Sequence, residues 1–161
     1  MTSLELALTL ALCLVLTVLA VIDWRSYRLP DIFTLPLIPA GLLAAWLLGE
    51  TLWVHALGAA LGYGALVLLE KSYEKLRGRP GLGRGDAKLF AGGGAWCGAM
   101  ALPTILLAAS ISAIVWILAL RLFTGQELKG DSMIAFGPFL GFGIAFAFVA
   151  QRLDLLAFAG I

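Results

Sequence analysis

The chain has 161 residues, of which 61% are hydrophobic and 13% are charged, and its formal net charge at pH 7 is +1. A soluble domain carries roughly 25% charged residues, so this composition excludes an ordinary soluble enzyme or binding module. The near-neutral charge gives no indication of nucleic-acid binding. We therefore expect one integral-membrane domain over residues 1–161.

Uncharged apolar runs cover most of the chain. About 20 apolar residues are needed to cross a hydrocarbon core ~30 Å thick. Four runs approach that length, at residues 6–22, 32–49, 51–69 and 133–150. A fifth run, residues 89–120, would extend ~48 Å as one helix, so we expect a hairpin that breaks near residues 98–103. The sequence predicts an all-α membrane protein with six helices, at about 4–22, 32–49, 52–70, 86–101, 102–122 and 133–151.

The basic residues indicate how these helices are oriented. Cytoplasmic loops carry an excess of Lys and Arg. With the N-terminus outside, only Arg152 of the eleven basic residues lies outside, and the inner loops hold Arg25, Arg28, Lys71, Lys75, Arg77, Arg79, Arg84, Lys88, Arg121 and Lys129. We therefore predict that both termini are outside. The first segment lacks a basic stretch before its apolar run, so we expect a retained helix and not a cleaved leader.

Two aspartates lie where an apolar run meets a basic stretch. Asp23 closes the first run, and Asp86 ends the Gly-Arg-Gly-Asp turn at residues 83–86 and precedes another run. A carboxylate near a bilayer is energetically costly, so by default it marks a functional site. On one membrane face, two carboxylates can share a proton and activate a water molecule, which is aspartic-protease chemistry. We predict that Asp23 and Asp86 are catalytic and that both face the cytoplasm.

The residues around Asp86 suggest how a substrate is held. Gly83 and Gly85 allow a backbone with positive φ that can approach an extended substrate strand closely. The glycine-rich stretch at residues 71–85 is expected to be a mobile loop that moves Asp86 towards Asp23. For Lys88, two interpretations stay open: it tunes the charge of Asp86 or binds substrate carbonyls, or it extends to the membrane interface.

Other polar residues have structural interpretations. Asp31 is expected to be the N-cap of the second helix, and His55 is expected to be structural at the outer end of the third. Cys13 and Cys97 are isolated in apolar segments, so we predict no metal site and no cofactor, and the sequence gives no basis for inferring a disulfide. The glycines spaced as Gly58-x-x-x-Gly62, and those at residues 92–94, predict close helix packing.

These motifs resemble the type 4 prepilin peptidases, a family of membrane-embedded GxGD aspartyl proteases. The resemblance rests on Asp-Trp-Arg at residues 23–25 with Leu-Pro-Asp at 29–31, Thr-Leu-Pro at 34–36, Gly-Arg-Gly-Asp-Ala-Lys-Leu at 83–89, Gly-Ala-Trp at 94–96 and Phe-Gly-Pro-Phe at 136–139. The pieces follow the family's order and cover nearly the whole chain.

The resemblance implies that Asp23 and Asp86 form the catalytic dyad. It also implies an inner-membrane enzyme that acts on prepilins or pseudopilins, cutting between a short basic leader and a hydrophobic helix. Membrane lipids are expected as further partners, and nucleic acid is not. Many family members carry two CxxC pairs associated with N-methylation; no CxxC occurs here, so the short, protease-only form is expected.

Alternative functions remain. Proteases of the presenilin or signal-peptide-peptidase kind share the GxGD motif, but their first aspartate follows a tyrosine, whereas Asp23 follows Ile22. A small transporter could use the two carboxylates as a proton relay, but such relays place ionisable groups at mid-membrane depth. Neither a transporter nor an assembly scaffold accounts for two acidic residues at the membrane interface.

Overall fold

A computed structural model describes residues 1–78, 83–124 and 135–153. Its α-helices, in chain order, are α1 (Ser3–Ser26), α2 (Asp31–Leu47), α3 (Leu52–Arg77), α4 (Arg84–Cys97), α5 (Leu102–Thr124) and α6 (Gly137–Arg152). A short 3-10 turn, Ala99–Ala101, joins α4 to α5. The described residues contain no strand, and the predicted all-α architecture with six helices is confirmed.

Several helices begin or end away from the expected positions. Helix α1 continues past residue 22 to Ser26, so Asp23 lies in its last turn, and Tyr27 ends it in the left-handed conformation with φ 53°. Helix α3 continues to Arg77, so the expectation of a loop from residue 71 is wrong for 71–77. Residues 79–82 of that expected loop, residues 125–134, which include the first two residues expected in the sixth helix, and residues 154–161 lie outside the described residues.

The break in the long fifth apolar run occurs at Gly98. Its φ of 79° is a conformation that glycine adopts without steric penalty, and this residue ends α4. The chain then reverses through the 3-10 turn, and α5 begins at Leu102. The break therefore lies inside the predicted interval.

Helix α4 is the central element of the bundle. It contacts α2, α3, α5 and α6, and nearly every residue from Asp86 to Cys97 is buried. Its three successive glycines face three different helices, because successive side chains of a helix point ~100° apart. An added Cβ on Gly92 would lie 2.6 Å from Leu37 of α2, and one on Gly93 would lie 2.7 Å from Ile144 of α6.

The third glycine of this set, Gly94, faces Gly58 of α3 with backbone against backbone. One turn further along α3, an added Cβ on Gly62 would lie 2.9 Å from the Phe90 carbonyl oxygen. The close helix approach predicted from the Gly58 and Gly62 spacing is therefore confirmed. Small residues allow two helices to pack at this distance inside a membrane.

The outer surface of the bundle is apolar. Within residues 1–78, 83–124 and 135–153, three helices, Ser3–Ser26, Leu52–Leu76 and Ala99–Phe123, are long and apolar enough to cross a membrane, and Asp31–Leu47 is a shorter apolar helix. Large side chains such as Leu14, Trp46, Trp53, Leu68, Leu107 and Val115 are exposed on these helices. Exposed apolar surface of this extent is expected where lipid replaces water as the solvent. The protein is an all-α membrane protein.

Candidate active site

Asp23 is buried in the last turn of α1. Its side chain is 5% exposed, and its Oδ2 accepts a hydrogen bond from the Gly137 backbone amide at 3.0 Å. Gly137 is the first residue of α6, where Pro138 also lies in the first turn. A buried carboxylate requires hydrogen-bond donors, and the first amides of a helix have no acceptor within their own helix. The end of α1 and the start of α6 therefore meet at this carboxylate.

Asp86 lies in the first turn of α4 and is 9% exposed. Gly83 is the N-cap of this helix, and its carbonyl oxygen accepts a hydrogen bond from the Asp86 amide at 3.0 Å. Asp23 lies close enough to Asp86 for their negative charges to repel each other. The fold thus brings together the two acidic residues that the sequence singled out.

This arrangement suits general acid–base chemistry. Two buried carboxylates that repel one another do not readily both ionise, which favours a state with one shared proton. A pair with one ionised and one protonated member can take a proton from water and also donate a hydrogen bond to a developing oxyanion.

Asp31 does not cap α2. The N-cap is Pro30, whose side chain makes no capping hydrogen bond, and Asp31 is the first helical residue. Its Oδ1 instead accepts a hydrogen bond from Lys88 Nζ at 2.6 Å. Proline can take the boundary position because its fixed φ of about −65° suits the start of a helix and its missing amide donor is not needed there. The N-cap expectation for Asp31 is therefore wrong.

Lys88 links the site to α2. Its side chain is largely buried, and its ammonium group is bound to Asp31, which is half-exposed. The expected alternatives for Lys88 were a role beside Asp86 or an extension to the interface. The observed ion pair fixes the N-terminal part of α4, which carries Asp86, to the first turn of α2.

The glycines before Asp86 do not have the expected backbone. Gly83 has a φ of −77° and a ψ of 137°, an extended conformation that any residue adopts, and Gly85 lies within α4. Neither has a positive φ, so that part of the prediction is wrong. Gly85 instead faces Leu29, where an added Cβ would lie 2.8 Å from the leucine Cβ. Glycine is therefore needed at 85 because Leu29 packs too closely for a side chain there.

Arg84 and Glu70 form a looser pair beside the site. The Arg84 Nε lies 3.7 Å from Glu70 Oε1, and the arginine side chain is 71% exposed. Exposed pairs of this kind contribute little to stability. Glu70 itself is largely buried.

A second polar cluster lies at the other end of α4. His55 is buried, its Nδ1 lies 3.0 Å from the Ala95 carbonyl oxygen, and its Nε2 lies 3.0 Å from Glu50 Oε2. Arg152 Nη1 lies 2.6 Å from Glu50 Oε1, and its guanidinium lies over the Phe148 ring. These contacts agree with the structural role expected for His55, and they connect the start of α3 to the end of α6.

No group of three or more His, Cys, Asp or Glu side chains is arranged to hold a metal ion within residues 1–78, 83–124 and 135–153. Cys97 is buried, Cys13 is partly buried, and both are free thiols. The absence of a metal or cofactor requirement stays a prediction.

The chain is similar in sequence to known proteins. The sequence model of the type IV leader peptidase family matches residues 10–118. The chain is 42% identical over 138 residues to the prepilin leader peptidase/N-methyltransferase of Escherichia coli (strain K12), covering 85% of this chain and 60% of that protein. No solved structure matches the chain.

Two further relatives carry the same description. The Dickeya chrysanthemi protein is 39% identical over 138 residues, covering 84% of this chain and 47% of its own length. The Neisseria gonorrhoeae protein is 40% identical over 123 residues, covering 76% of this chain and 41% of its own length. The chain therefore spans about half the length of the curated relatives it matches.

Proposed function

Because the chain belongs to the type IV leader peptidase family, we propose that it is an aspartic endopeptidase that removes the leader from prepilins or pseudopilins. The observation that carries this proposal is the burial of Asp23 and Asp86 at one site, close enough for their charges to interact. The proposal covers only the peptidase part of the relatives' name, because the residues at this site supply acid–base chemistry.

The proposed mechanism uses the two carboxylates in complementary states. The ionised one takes a proton from a water molecule as that water attacks the scissile carbonyl. The protonated one donates a hydrogen bond to the oxygen on which negative charge develops, and the roles exchange as the amine leaves. Burial strengthens these interactions because the effective dielectric constant is lower than in water.

The proposed substrate has a short basic leader followed by a hydrophobic helix. The hydrophobic part can lie in the bilayer beside the apolar outer surface of the enzyme, which places the leader junction at the membrane surface. That junction must be extended at the site, because the carbonyls of a helix are already hydrogen-bonded and shielded.

The proposed location is the inner membrane with the site facing the cytoplasm. The asymmetry of basic residues supports this orientation, because cytoplasmic loops are rich in Lys and Arg. Arg25 and Arg28 closely follow Asp23 in the sequence, and Lys88 closely follows Asp86. Cysteine labelling of Lys75→Cys on a background lacking Cys13 and Cys97 tests it. Labelling by a membrane-impermeant reagent is expected only after the inner side is opened, and labelling in intact cells would reverse the orientation.

The experiment that tests the activity uses purified protein in detergent. A synthetic peptide with a basic leader and a hydrophobic helix is incubated with the enzyme, and the products are identified by mass spectrometry. One cut at the leader–helix junction is expected. Intact peptide, or cuts scattered through the leader, would contradict the proposed function.

A further inference from the structure

The Phe-Gly-Pro-Phe motif at residues 136–139 has no role in the mechanism described above, yet it lies at the catalytic carboxylate. Phe136 is the N-cap of α6, and Gly137 and Pro138 form the start of the helix. The Gly137 amide donates to Asp23 Oδ2 at 3.0 Å. The motif therefore forms a third side of the site, after the end of α1 and the start of α4.

Glycine at 137 is required by the carboxylate. An added Cβ would lie 2.6 Å from Asp23 Oδ2, closer than real Cβ contacts allow, and 3.0 Å from its Cγ. Gly137 is not among the described glycines with positive φ, so its backbone conformation is open to other residues. Any side chain at 137 would have to displace the Asp23 carboxylate.

The first turn of α6 has one amide available for this bond. Pro138 has no amide hydrogen. The amides of Phe139 and Leu140 both donate to the Phe136 carbonyl oxygen, at 3.1 and 3.0 Å. The Gly137 amide is left as the donor that points away from its own helix. It also lies at the helix N-terminus, where the aligned peptide dipoles favour a negative charge.

We propose that Gly137 is a positioning residue for the reaction, holding the ionised Asp23 carboxylate through its backbone amide. The bond occupies Oδ2 and leaves Oδ1 as the oxygen that takes the proton from water. The inference deepens the proposed function and rests on it. Asp23 remains the catalytic group, and the start of α6 fixes its orientation.

Three glycines of α6 provide a matched series for the test. Gly141→Ala is the control, because an added Cβ there meets Leu16 at an ordinary 3.8 Å. Gly143→Ala is the structural comparison, since its Cβ would collide with the Ile105 carbonyl oxygen of α5. Gly137→Ala is the test variant. Alanine is a good helix former, so the three variants differ in what the added methyl group contacts.

The expected results separate positioning from stability. Gly137→Ala should lower kcat about 100-fold, as misplacing a catalytic group by about 1 Å does, with KM unchanged within about twofold. Its Tm should stay near that of Gly141→Ala, whereas Gly143→Ala should lower Tm and leave kcat per folded molecule unchanged. A Gly137→Ala enzyme that cuts the peptide as fast as Gly141→Ala would overturn the inference.

A stability measurement keeps the inference testable if Gly137→Ala also lowers Tm. The same substitution is made in an Asp23→Ala background, where the group that the methyl contacts is absent. The loss of Tm should then disappear; an equal loss in both backgrounds would show that Gly137 does not act through Asp23. If the unsubstituted protein cuts no peptide at all, the proposed function fails, while the Tm comparison still measures the contact.

Discussion

Lys88 Nζ lies 2.6 Å from Asp31 Oδ1, so the N-terminal part of α4 is bound to the first turn of α2. Lys88 is two residues after Asp86 in the sequence. Next to it, Leu29 packs against Gly85. The short connection between α1 and α2 is therefore fixed to the same turn that carries the second aspartate. These contacts hold the start of α4, which carries Asp86, against the α1–α2 connection, which follows Asp23 in the sequence.

The first prediction concerns this ion pair. Lys88→Met should reduce cleavage about tenfold, because the turn that carries Asp86 loses its link to α2. The loss of stability should stay below about 1 kcal/mol, because Asp31 is half-exposed. Arg84→Met, which removes a looser and more exposed pair with Glu70, is the matched control. Initial rates and Tm in detergent measure both effects, and equal rates for the two variants would exclude a positioning role for Lys88.

The second prediction separates the two glycines of the GxGD motif. Gly85→Ala should lose most of its activity, because the new Cβ would lie 2.8 Å from the Leu29 Cβ. Gly83→Ala should keep most of its activity, because Gly83 has an extended backbone and, among the described residues, an added Cβ would approach only Asp86 Oδ2, at 3.5 Å. Adding Leu29→Gly to Gly85→Ala should restore activity, because glycine removes the Cβ that the new methyl group would contact. Failure of that rescue, measured by peptide cleavage, would remove the contact as the explanation.

The third prediction concerns the crossing of α3 and α4. Gly58→Ala should destabilise the protein by about 1–3 kcal/mol, the usual effect of adding a methyl group to a packed interface. Gly64→Ala on the same helix is the control, because no atom of the described part of the chain lies within 4 Å of its added Cβ. Thermal unfolding in detergent compares them. Equal Tm values would show that α3 and α4 accommodate the added methyl group without a loss of stability.

The fourth prediction is a pH dependence at the other end of α4. Burial raises the pKa of the Glu50 carboxyl, but hydrogen bonds and charges from His55 and Arg152 outweigh it, so the pKa lies below its ordinary value of 4.5. A lowered folded-state pKa stabilises the fold above the unfolded pKa, and this contribution is lost as the pH falls through the folded pKa. Tm should therefore decline below pH 4.5 by more in the unsubstituted protein than in Glu50→Gln. Parallel Tm profiles would contradict this.

The sequence was sufficient to predict the helix number, the break near Gly98 and the packing role of Gly58 and Gly62. These features follow from local rules: apolar run length, the freedom of glycine, and the spacing of small residues on one helix face. The importance of Asp23 and Asp86 followed from the cost of placing carboxylates beside a membrane. That they share one site depends on the fold.

The other parts of the site join residues that are distant in the sequence. Asp31 matched the local rule for an N-cap, but Pro30 takes that position and Lys88 binds the carboxylate. Gly85 matched the rule for positive φ, but its requirement comes from Leu29. No local sequence signal predicts the hydrogen bond from Gly137 to Asp23. Glycine is needed at 137 because the Asp23 carboxylate lies against it, and that contact exists only in the folded structure.

The central claim is that Asp23 and Asp86 act as one catalytic pair. Asn is nearly isosteric with Asp but can neither accept nor donate the proton in this reaction. The direct measurement is the cleavage rate of Asp23→Asn, Asp86→Asn and the double variant on the leader peptide, with Glu74→Gln as control and Tm recorded for each. Residues that act as a unit are not additive, so each single variant should lose about as much activity as the double variant. Substantial cleavage by either folded single variant would contradict the account.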